Sequence, residues 1–400
     1  MRPLKALLPL DEALTMCLDL AAPIDRRETV PLGDALHRVM ADEARATVDV
    51  PPADRAAMDG YAVLAGDTAR AGKTSPVTLA VQEKLHAGDV PTKRVAKGRC
   101  TQIATGAPLP RGADAVVMVE DTERTKDAVR VYRPARPREN VSARGSDIRK
   151  GARILAAGEV LTPAKLGALA AVGRDSASVW ARPRVALLVT GDEVVPPGAD
   201  LGPGQVYDIN SVTMAAAVRE SGGEPVLLGR VPDRLDALRD ALTAGLGEDL
   251  VVFSGGSSVG ERDLILDVLQ SMGDLLFHGI AIKPGRPTIL GRVQGKPVLG
   301  MPGNPTSCLS NCYILLAPML RRIARLPAAA RVLEVPLASR ITSPLGRVEV
   351  HTVRLVDGRA TPAFKESGAI TSMADADGYF EIPANVGVVE AGERVRVTLF

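Results

Sequence analysis

The sequence predicts a multidomain α/β protein whose central domain is built on a mostly parallel sheet. Between residues 184 and 326, short unbroken apolar runs alternate with amphipathic helical patterns, which is typical of parallel strands covered by helices on both faces. On either side of this region, β-branched runs interrupted by Gly and Pro predict smaller β domains. The length of 400 residues agrees with several domains, because roughly 150 residues form an ordinary one.

Composition excludes several classes of protein. The 49 Lys and Arg nearly balance the 47 Asp and Glu, and the net charge of +2 is not concentrated in a basic block, which argues against broad nucleic-acid binding. A hydrophobic content of 46% excludes wholesale disorder. No apolar stretch approaches the roughly 20 residues of a membrane span. We therefore expect a cytoplasmic protein with neither a membrane nor a nucleic-acid partner.

The four cysteines are too few to form a disulfide framework in a chain of this length. Cys308 and Cys312 have the i, i+4 spacing of one helix face, but no second Cys or His pair completes a metal site. We expect both to lie in a core.

The elements before the central domain follow from local patterns. Apolar residues spaced as one helical stripe predict an amphipathic helix from Leu10 to Leu18. Short β-branched runs between residues 61 and 131, separated by Gly and Pro, predict a small β domain. An Ala-rich helix is predicted over residues 163–172.

In the central domain the sequence predicts four strands, over residues 185–189, 226–228, 250–253 and 297–300. Helices are predicted between and after them: one capped by Asn210 or Ser211 and ending at Glu220, then 234–246, 263–272 and a long last helix to about residue 326. After Pro327 the helical period disappears. Alternating residues over 332–335, 347–353 and 394–400 predict a small C-terminal β-barrel or sandwich.

Three unusual loops follow predicted strands, over residues 190–193, 254–260 and 301–305. In a parallel sheet such loops open on one edge, where ligands bind. The Ser/Gly-rich loop 254–260 exposes backbone N–H groups ahead of a helix, which suits a phosphate. It matches neither the Walker A motif nor the Gly-x-Gly-x-x-Gly fingerprint. We predict a phosphate-bearing substrate at this edge.

Four carboxylates fall on the same edge: Asp192, Glu193, Asp233 and Asp263. Carboxylates facing a phosphate repel it unless a cation lies between them, and Mg²⁺ commonly uses one or two carboxylates together with substrate phosphates. The alternative is that Asp233 and Asp263 are helix caps. We favour a ligand role for Asp192, Glu193 and Asp263 and leave both interpretations open for Asp233.

Lys283 and Arg286 lie in the segment Ile-Lys-Pro-Gly-Arg-Pro, residues 282–287. Two prolines and a glycine restrict its backbone, and a rigid pair of cations suits a compact oxyanion; an ordinary solvated turn is the alternative. Two further acids, Asp59 and Asp147, lie on constrained loops outside the central domain. Spacing alone says little about them, because Asp and Gly are common in turns.

Taken in order, these motifs resemble the MoeA family, molybdopterin molybdenumtransferase, to which the E domain of gephyrin is related. The resemblance covers nearly the whole chain. It rests on eight motifs in order: Met58-Asp59-Gly60-Tyr61-Ala62, Thr105-Gly106-Ala107-Pro108, Gly145-x-Asp147-Ile148, Thr190-Gly191-Asp192-Glu193, Tyr207-Asp208-x-Asn210, Ser254-Gly255-Gly256-x-Ser258-Val259-Gly260, Lys283-Pro284-Gly285-x-Pro287 and Pro302-Gly303-Asn304-Pro305.

The resemblance implies an enzyme of molybdenum cofactor biosynthesis. Such enzymes take adenylylated molybdopterin and molybdate, cleave the adenylyl phosphoanhydride with Mg²⁺ and release AMP and molybdenum cofactor. It implies that Asp59 and Asp147 are catalytic acids or metal ligands and that Glu193, Asp233 and Asp263 belong to the cofactor pocket; with the ligand roles favoured above, the predicted metal ligands are Asp59, Asp147, Asp192, Glu193 and Asp263. The implied substrate-binding residues are Thr105, Glu193, Asp208, Asn210, Asp233, Ser254, Gly255, Gly256, Ser258, Lys283, Arg286, Pro302, Asn304 and Pro305, with molybdate near Lys283 and Arg286.

The resemblance also implies a domain plan. Residues 1–50 and 146–182 would form an extended linking and dimerisation domain, and residues 51–145 a small β-rich domain. Residues 183–326 would form a three-layer α/β domain of the molybdenum-cofactor-biosynthesis type, and residues 327–400 a C-terminal β-barrel. A homodimer would place the active cleft between the α/β domain of one subunit and the small β domain of the other. Further implied partners are the molybdopterin adenylyltransferase and molybdoenzyme apoproteins or their chaperones.

Three alternatives stay open at this point: a molybdopterin adenylyltransferase on the same sheet fold, a pyrophosphatase of the competence-damage type, and a non-catalytic cofactor carrier or scaffold. The chain also departs from the family pattern at four positions. Ser142 and Ala143 stand where many relatives have a denser basic run, Gly279 where some have Lys, and Ser257 where a hydrophobic residue is usual. We expect these departures to affect the binding of molybdate and phosphate rather than the reaction class.

Overall fold

The computed structural model describes residues 7–255, 264–328, 331–363 and 369–400. These residues form two compact units. The first contains the chain up to Glu28, His37–Val39 and Val179–Phe400; the second contains Thr29–Leu36 and Met40–Ser178.

The helices of the described residues are short and amphipathic. The helix Pro163–Ala171, for example, begins where Thr162 accepts a hydrogen bond from the Lys165 N–H (3.4 Å) and Pro163 takes the first helical position. In chain order they are α1 (Leu10–Leu20), α2 (Pro163–Ala171), α3 (Asn210–Glu220), α4 (Leu235–Gly245), α5 (Leu264–Met272), α6 (Pro305–Asn311), α7 (Ala317–Ile323) and α8 (Thr371–Ala374). A π-helical turn, Cys312–Leu316, connects α6 directly to α7, so the predicted long last helix is present as a continuous helix with a π-helical turn in its middle. Short 3₁₀ turns span Leu32–Asp34, Ala65–Thr68 and Val119–Asp121.

The described strands are mostly short, as expected from the frequent Gly and Pro. They are β1 (Arg27–Pro31), β2 (Ala44–Arg45), β3 (Arg55–Ala56), β4 (Gly60–Val63), β5 (Val77–Leu85), β6 (Arg99–Ile103), β7 (Ala115–Met118), β8 (Thr122–Arg124), β9 (Ala128–Val131), β10 (Val141–Ser142), β11 (Arg153–Leu155), β12 (Ser176–Trp180), β13 (Arg184–Thr190), β14 (Val194–Val195), β15 (Val206–Tyr207), β16 (Glu224–Val231), β17 (Leu250–Ser254), β18 (Asp274–His278), β19 (Ile282–Lys283), β20 (Ile289–Val293), β21 (Lys296–Met301), β22 (Val332–Pro336), β23 (Ile341–Thr342), β24 (Val348–Val356), β25 (Arg359–Pro362), β26 (Gly378–Ile382), β27 (Val388–Val389) and β28 (Arg394–Leu399).

The first unit contains a six-stranded sheet in the order β16-β13-β17-β21-β20-β18. Its first four strands are parallel, and β20 runs antiparallel to both of its neighbours. All four predicted strands are present, and the prediction of a mostly parallel sheet is confirmed. Sequence patterns did not reveal β18 and β20. Strand β20 carries Gly291 and Arg292 in its middle, which interrupts the apolar run that marked the other strands.

Two hydrophobic cores cover the two faces of this sheet, which makes the domain three-layered. Along β13, Val185, Leu187 and Val189 pack into the core shared with α1, α3, α6 and α7. Ala186 and Leu188 pack into the core shared with α4 and α5. The alternation follows from the two-residue period of a strand, and burial on both faces explains why β13 is apolar throughout. Cys308 and Cys312 lie in the first core with no exposed surface, as expected.

The C-terminal strands form a second sheet of the first unit, in the order β19-β24-β26-β28-β22, with β25 paired to β24. A bridge between Leu337 and Ala360 links the continuation of β22 to β25 and closes the sheet into a small barrel. Leu337, Val353, Phe380 and Val397 fill its interior. Strand β19 belongs to the segment 282–287, so this barrel reaches back to a motif of the preceding domain.

The second unit contains a six-stranded sheet in the order β7-β4-β6-β5-β9-β8, around a core that includes Tyr61, Leu79 and Val117. In this sheet Gly60 pairs with Ile103, so the residues just before β4 and just after β6 lie at the same end. Asp59 and Thr105 occupy those two places. No helix among the described residues is long and apolar enough to cross a membrane.

Candidate functional site

A cleft of about 580 Å³ opens where the parallel strands of the first unit end. Strands β13, β17 and β21 end at Thr190, Ser254 and Met301, and the loops that follow line the cleft. Nine of the predicted substrate-binding residues come together here: Glu193, Asp208, Asn210, Asp233, Ser254, Gly255, Pro302, Asn304 and Pro305.

A buried pair of polar side chains joins the loops beneath the cleft. The Asn210 Nδ2 donates to Ser254 Oγ (2.7 Å) and to the Gly303 carbonyl oxygen (2.9 Å). The Ser254 hydroxyl in turn lies 3.4 Å from the Pro302 carbonyl oxygen, to which it donates. Asn210 Oδ1 is buried and has no hydrogen-bond partner among the described residues.

Glycine is required where two of these loops touch. Gly255 has a φ of +95°, and a Cβ there would lie 2.5 Å from the Thr190 carbonyl oxygen. The loops that follow β13 and β17 can therefore approach closely only without a side chain at position 255.

The Asp208 carboxylate caps helix α3. It accepts hydrogen bonds from the Ser211 N–H (2.9 Å) and from the Ser211 hydroxyl. The expectation that Asn210 or Ser211 would be the cap is therefore wrong, because Asn210 points into the buried pair and Ser211 donates rather than accepts. A carboxylate is favoured at this place by the partial positive charge of the helix N-terminus.

Glu193 and Asp233 line the cleft, and the exposed Asp192 is near enough for its charge to act on Asp233; we call these three carboxylates the acidic cluster. Partial burial raises the pKa of Asp233, the Thr190 hydroxyl lowers it, and the charges of Asp192 and Glu193 raise it again. Arg230 opposes this repulsion only weakly, since its Nη1 lies 4.0 Å from Asp192 Oδ1 and both side chains are exposed. The net result is a raised pKa of Asp233, with burial as the largest cause and the two neighbouring carboxylates as further ones.

The donor chemistry of this cluster fits a divalent cation. Among the described residues, no three His, Cys, Asp or Glu side chains meet closely enough to hold a metal by themselves. Mg²⁺, however, commonly takes only one or two protein carboxylates and completes its shell with water and phosphate oxygens. The predicted residues Gly256, Ser258 and Asp263 lie outside the described residues.

The two predicted oxyanion-binding cations, Lys283 and Arg286, have different surroundings in the structure. Lys283 Nζ donates to Glu349 Oε1 at 2.5 Å, so it is not the unpaired cation that the sequence suggested. The Arg286 side chain is exposed. Pro287, in the same segment, lines the cleft.

The Asp59 carboxylate of the second unit is held by Thr105. One oxygen, Oδ1, accepts the Thr105 backbone N–H (2.6 Å) and the Thr105 hydroxyl (2.9 Å). These two bonds lower the pKa of Asp59, so the carboxylate is ionised at neutral pH. Thr105, which was predicted to bind substrate, thus orients Asp59. The Asp59 side chain is exposed, and its second oxygen, Oδ2, takes no part in these two bonds.

Asp147 lies on an exposed loop of the same unit. Its backbone N–H donates to the Val50 carbonyl oxygen (3.0 Å), and its loop lines a groove of about 680 Å³ beside helix α2. Asp49 fixes this loop by accepting bonds from the Lys150 N–H (2.8 Å) and from Arg144 Nε (2.6 Å). The Arg144 side chain is therefore engaged in fixing the loop.

Sequence patterns did not reveal two buried polar residues, Asn311 and Glu349. Asn311 ends helix α6 with no exposed surface and donates to the Gly285 carbonyl oxygen (3.1 Å). Glu349 is 2% exposed and binds Lys283. The signal that could have revealed each of them was a polar residue at a position that the helix or strand pattern predicts to be apolar.

Comparisons with known proteins agree with this architecture. Three family models match in succession: "MoeA N-terminal region (domain I and II)" over residues 8–173, "Probable molybdopterin binding domain" over 186–322 and "MoeA C-terminal region (domain IV)" over 334–400. A Mycobacterium tuberculosis protein named molybdopterin molybdenumtransferase 2 is 35% identical over 92% of this chain and 94% of its own length. The Bacillus subtilis molybdopterin molybdenumtransferase is 32% identical over 98% of this chain and 94% of its own length.

A solved structure supports the same assignment. The crystal structure of the molybdopterin biosynthesis MoeA protein from Pyrococcus horikoshii OT3 is 32% identical, covers 99% of this chain and 100% of its own, and superposes with a TM-score of 0.83. Similarity of this extent in both sequence and fold shows that the chain belongs to the MoeA family.

Proposed function

We propose that this enzyme transfers molybdenum from molybdate to adenylylated molybdopterin, cleaves the adenylyl phosphoanhydride and releases AMP and molybdenum cofactor. The observation that carries the proposal is the cleft at the strand ends, which is lined by Ser254 and Gly255 at the start of the Ser/Gly-rich segment and by the acidic residues Glu193 and Asp233. Full-length similarity to molybdenumtransferases supports a transferase rather than a carrier or an adenylyltransferase.

The cleft residues would bind and orient the phosphoanhydride. The Asn210 bonds to Ser254 and Gly303 would hold the loops that line the cleft in place around the nucleotide ester. Asp192, Glu193 and Asp233 would hold Mg²⁺, which when bound neutralises charge that develops on the phosphate oxygens. Asp59, kept ionised by Thr105, would place a water or accept a proton, and Asp147 would assist it.

The protein needs no reactive thiol in this scheme, because the sulfur ligands of molybdenum belong to the pterin. All four cysteines are free and buried. Burial raises the pKa of Cys17 and Cys100 to about 12, so neither is a thiolate at neutral pH. Free, buried cysteines also suit the reducing cytoplasm that we propose as its location. Molybdate would bind near Lys283 and Arg286.

The proposal includes a homodimer, with the active cleft formed by the α/β domain of one subunit and the small β domain of the other. It also includes transient contacts with the adenylyltransferase that supplies the substrate and with the molybdoenzymes that receive the product. These parts rest on membership of the family.

The test is AMP release from adenylylated molybdopterin, with and without molybdate and Mg²⁺. Asp59→Asn keeps the shape and the hydrogen bonds of the side chain but removes its charge, so we expect a loss of about 100-fold or more, with unchanged thermal unfolding. Asp67→Asn is the matched control, because Asp67 also accepts a backbone N–H from a neighbouring segment of this unit, that of Gly98 (2.7 Å). Full activity of Asp59→Asn would favour a carrier, and ATP-dependent adenylylation of free molybdopterin would favour an adenylyltransferase.

A further inference from the structure

Lys283 stands where two domains of the first unit meet. It ends strand β19, which pairs in parallel with β24 of the C-terminal barrel, and in the register of that pairing Lys283 lies opposite Glu349. Its ammonium lies 2.5 Å from Glu349 Oε1. A cation from the segment that borders the cleft is thus held by a carboxylate from the barrel.

Glu349 depends on this partner. Its side chain is 2% exposed, and a buried carboxylate is strongly unfavourable unless it is paired. Burial alone would raise the pKa of Glu349, but the bond from Lys283 and smaller effects of Ser343 and His351 leave it lowered. His351 Nε2 is 3.4 Å from the other carboxylate oxygen, and burial lowers the pKa of His351. Lys283 is therefore the main ion-pair partner of Glu349.

The same segment is fixed on its other side by Asn311. The Asn311 Nδ2 donates to the Gly285 carbonyl oxygen (3.1 Å) and to Thr288 Oγ1 (2.5 Å). Gly285 has a φ of +108°, and a Cβ there would overlap the Asn311 amide. With both ends anchored, the parts of the segment that remain open to solvent are the exposed Arg286 and the 37% exposed Lys283 side chain.

We propose that Glu349 is a positioning residue for oxyanion binding: it holds the Lys283 ammonium in one place beside the segment 282–287. The inference rests on the proposed function, in which this segment binds molybdate. A free lysine side chain has many rotamers, and ordering it reduces the affinity for an anion, whereas a lysine already held in place avoids that loss. Because the two charges of the pair offset each other at 2.5 Å, Lys283 would act on the anion mainly as an oriented N–H donor, and we expect this orientation to exceed the remaining repulsion by Glu349.

The experiment is a double-mutant cycle on the full-length protein with Glu349→Gln, Lys283→Met and the double variant. The dissociation constant for molybdate is measured by equilibrium dialysis without turnover, and kcat and KM are measured by AMP release. Asp274→Asn is the control, since it removes an exposed ion pair with Arg292 (2.8 Å) in the same unit.

We expect Glu349→Gln and Lys283→Met each to weaken molybdate binding by about tenfold, the effect of one charge-assisted hydrogen bond. Because both changes break one unit, the double variant should bind no more weakly than either single variant. The molybdate concentration that gives half-maximal AMP release should rise by the same factor as the dissociation constant, and all values for Asp274→Asn should match the wild type. If Lys283→Met unfolds because it leaves Glu349 unpaired, the double variant, which removes both charges, must still bind as weakly as Glu349→Gln.

Three results would overturn the proposal: unchanged or tighter molybdate binding in Glu349→Gln, unchanged binding in Lys283→Met, or a loss of about 100-fold in the double variant, which would mean independent effects. If the variants show the expected binding pattern but the wild-type protein releases no AMP, the proposed function is refuted and the role of Glu349 stands.

Discussion

At the scale of single residues, Thr105 holds Asp59, the proposed catalytic residue, in its ionised form. Thr105 donates two hydrogen bonds to one oxygen of the carboxylate, and both favour the ionised form. Because the pKa of Asp59 is lowered in the folded protein, these bonds stabilise the fold only while Asp59 is ionised, and their contribution is lost as pH falls through that pKa. The side chain is exposed, so its ionisation can serve activity without a large effect on stability.

Replacing Thr105 by Val tests this arrangement. The variant keeps the backbone N–H but loses the hydroxyl bond, so the pKa of Asp59 should rise part of the way to its ordinary value. We expect the acid limb of the pH profile for AMP release to move to higher pH. The carboxylate stays ionised at neutral pH, but one bond orients it less firmly than two, so we expect the rate there to fall by about three- to tenfold.

Thr92→Val is the matched control for this change, because the Thr92 hydroxyl also donates to an exposed carboxylate, Glu83 (2.6 Å), in the same unit. The control should leave the pH profile unchanged. An acid limb that does not move in Thr105→Val would mean that Asp59 does not control this limb.

At the scale of elements, the cleft depends on how closely the strand ends approach one another. Gly255 follows β17 and has its Cα beside the carbonyl of Thr190, the last residue of β13. The Asn210 bonds to Ser254 and Gly303 then join helix α3 to two of the loops. A change that separates these elements should therefore damage both stability and substrate binding.

Gly255→Ala provides that change. The added methyl group meets the Thr190 carbonyl oxygen and the φ is unfavourable for alanine, so we expect a loss of about 1–3 kcal/mol in the free energy of unfolding together with a higher KM. Urea denaturation and AMP release measure the two effects.

Gly229→Ala separates the two causes, because Gly229 has a similar φ of +85° but no atom within 4 Å of an added Cβ. The Gly229→Ala variant should lose only the smaller, conformational part of the free energy of unfolding and should keep the wild-type KM. Equal losses in both variants would show that backbone conformation, and not the contact between strand ends, is responsible.

At the scale of the whole molecule, the proposed dimer places Asp59 of one subunit with Glu193 of the other. This makes a prediction for mixed subunits of the Asp59→Asn and Glu193→Gln variants, each inactive on its own. Half of the randomly paired dimers are mixed, and one of the two sites in each mixed dimer contains neither change. Co-expression should then restore about a quarter of wild-type AMP release.

Size measurement by light scattering, with each variant alone, is the control for correct pairing. Dimers that recover no activity on mixing would show that both residues act within one subunit. A monomer of normal activity would refute the dimer itself.

Much of the fold followed from the sequence because burial imposes a local period. Strand β13 and helix α4 were predicted to within a few residues, since periods of two and 3.6 residues are visible in a short window. Strands β18 and β20 were missed because their apolar runs are short or interrupted. The sequence also predicted the sheet edge at which the cleft lies, because the carboxyl ends of parallel strands lie together.

Sequence by itself determined the family, the central sheet and the loops that form the cleft, because these depend on local patterns and on the order of motifs. Only the tertiary structure decided which partner each polar side chain has. Asn210 bonds Ser254 across 44 residues, and Lys283 bonds Glu349 across 66. Such pairs carry no periodic signal, since a buried polar group can be satisfied by any part of the chain that folds beside it. For this reason Lys283 looked like an unpaired cation in the sequence and is half of an ion pair in the structure.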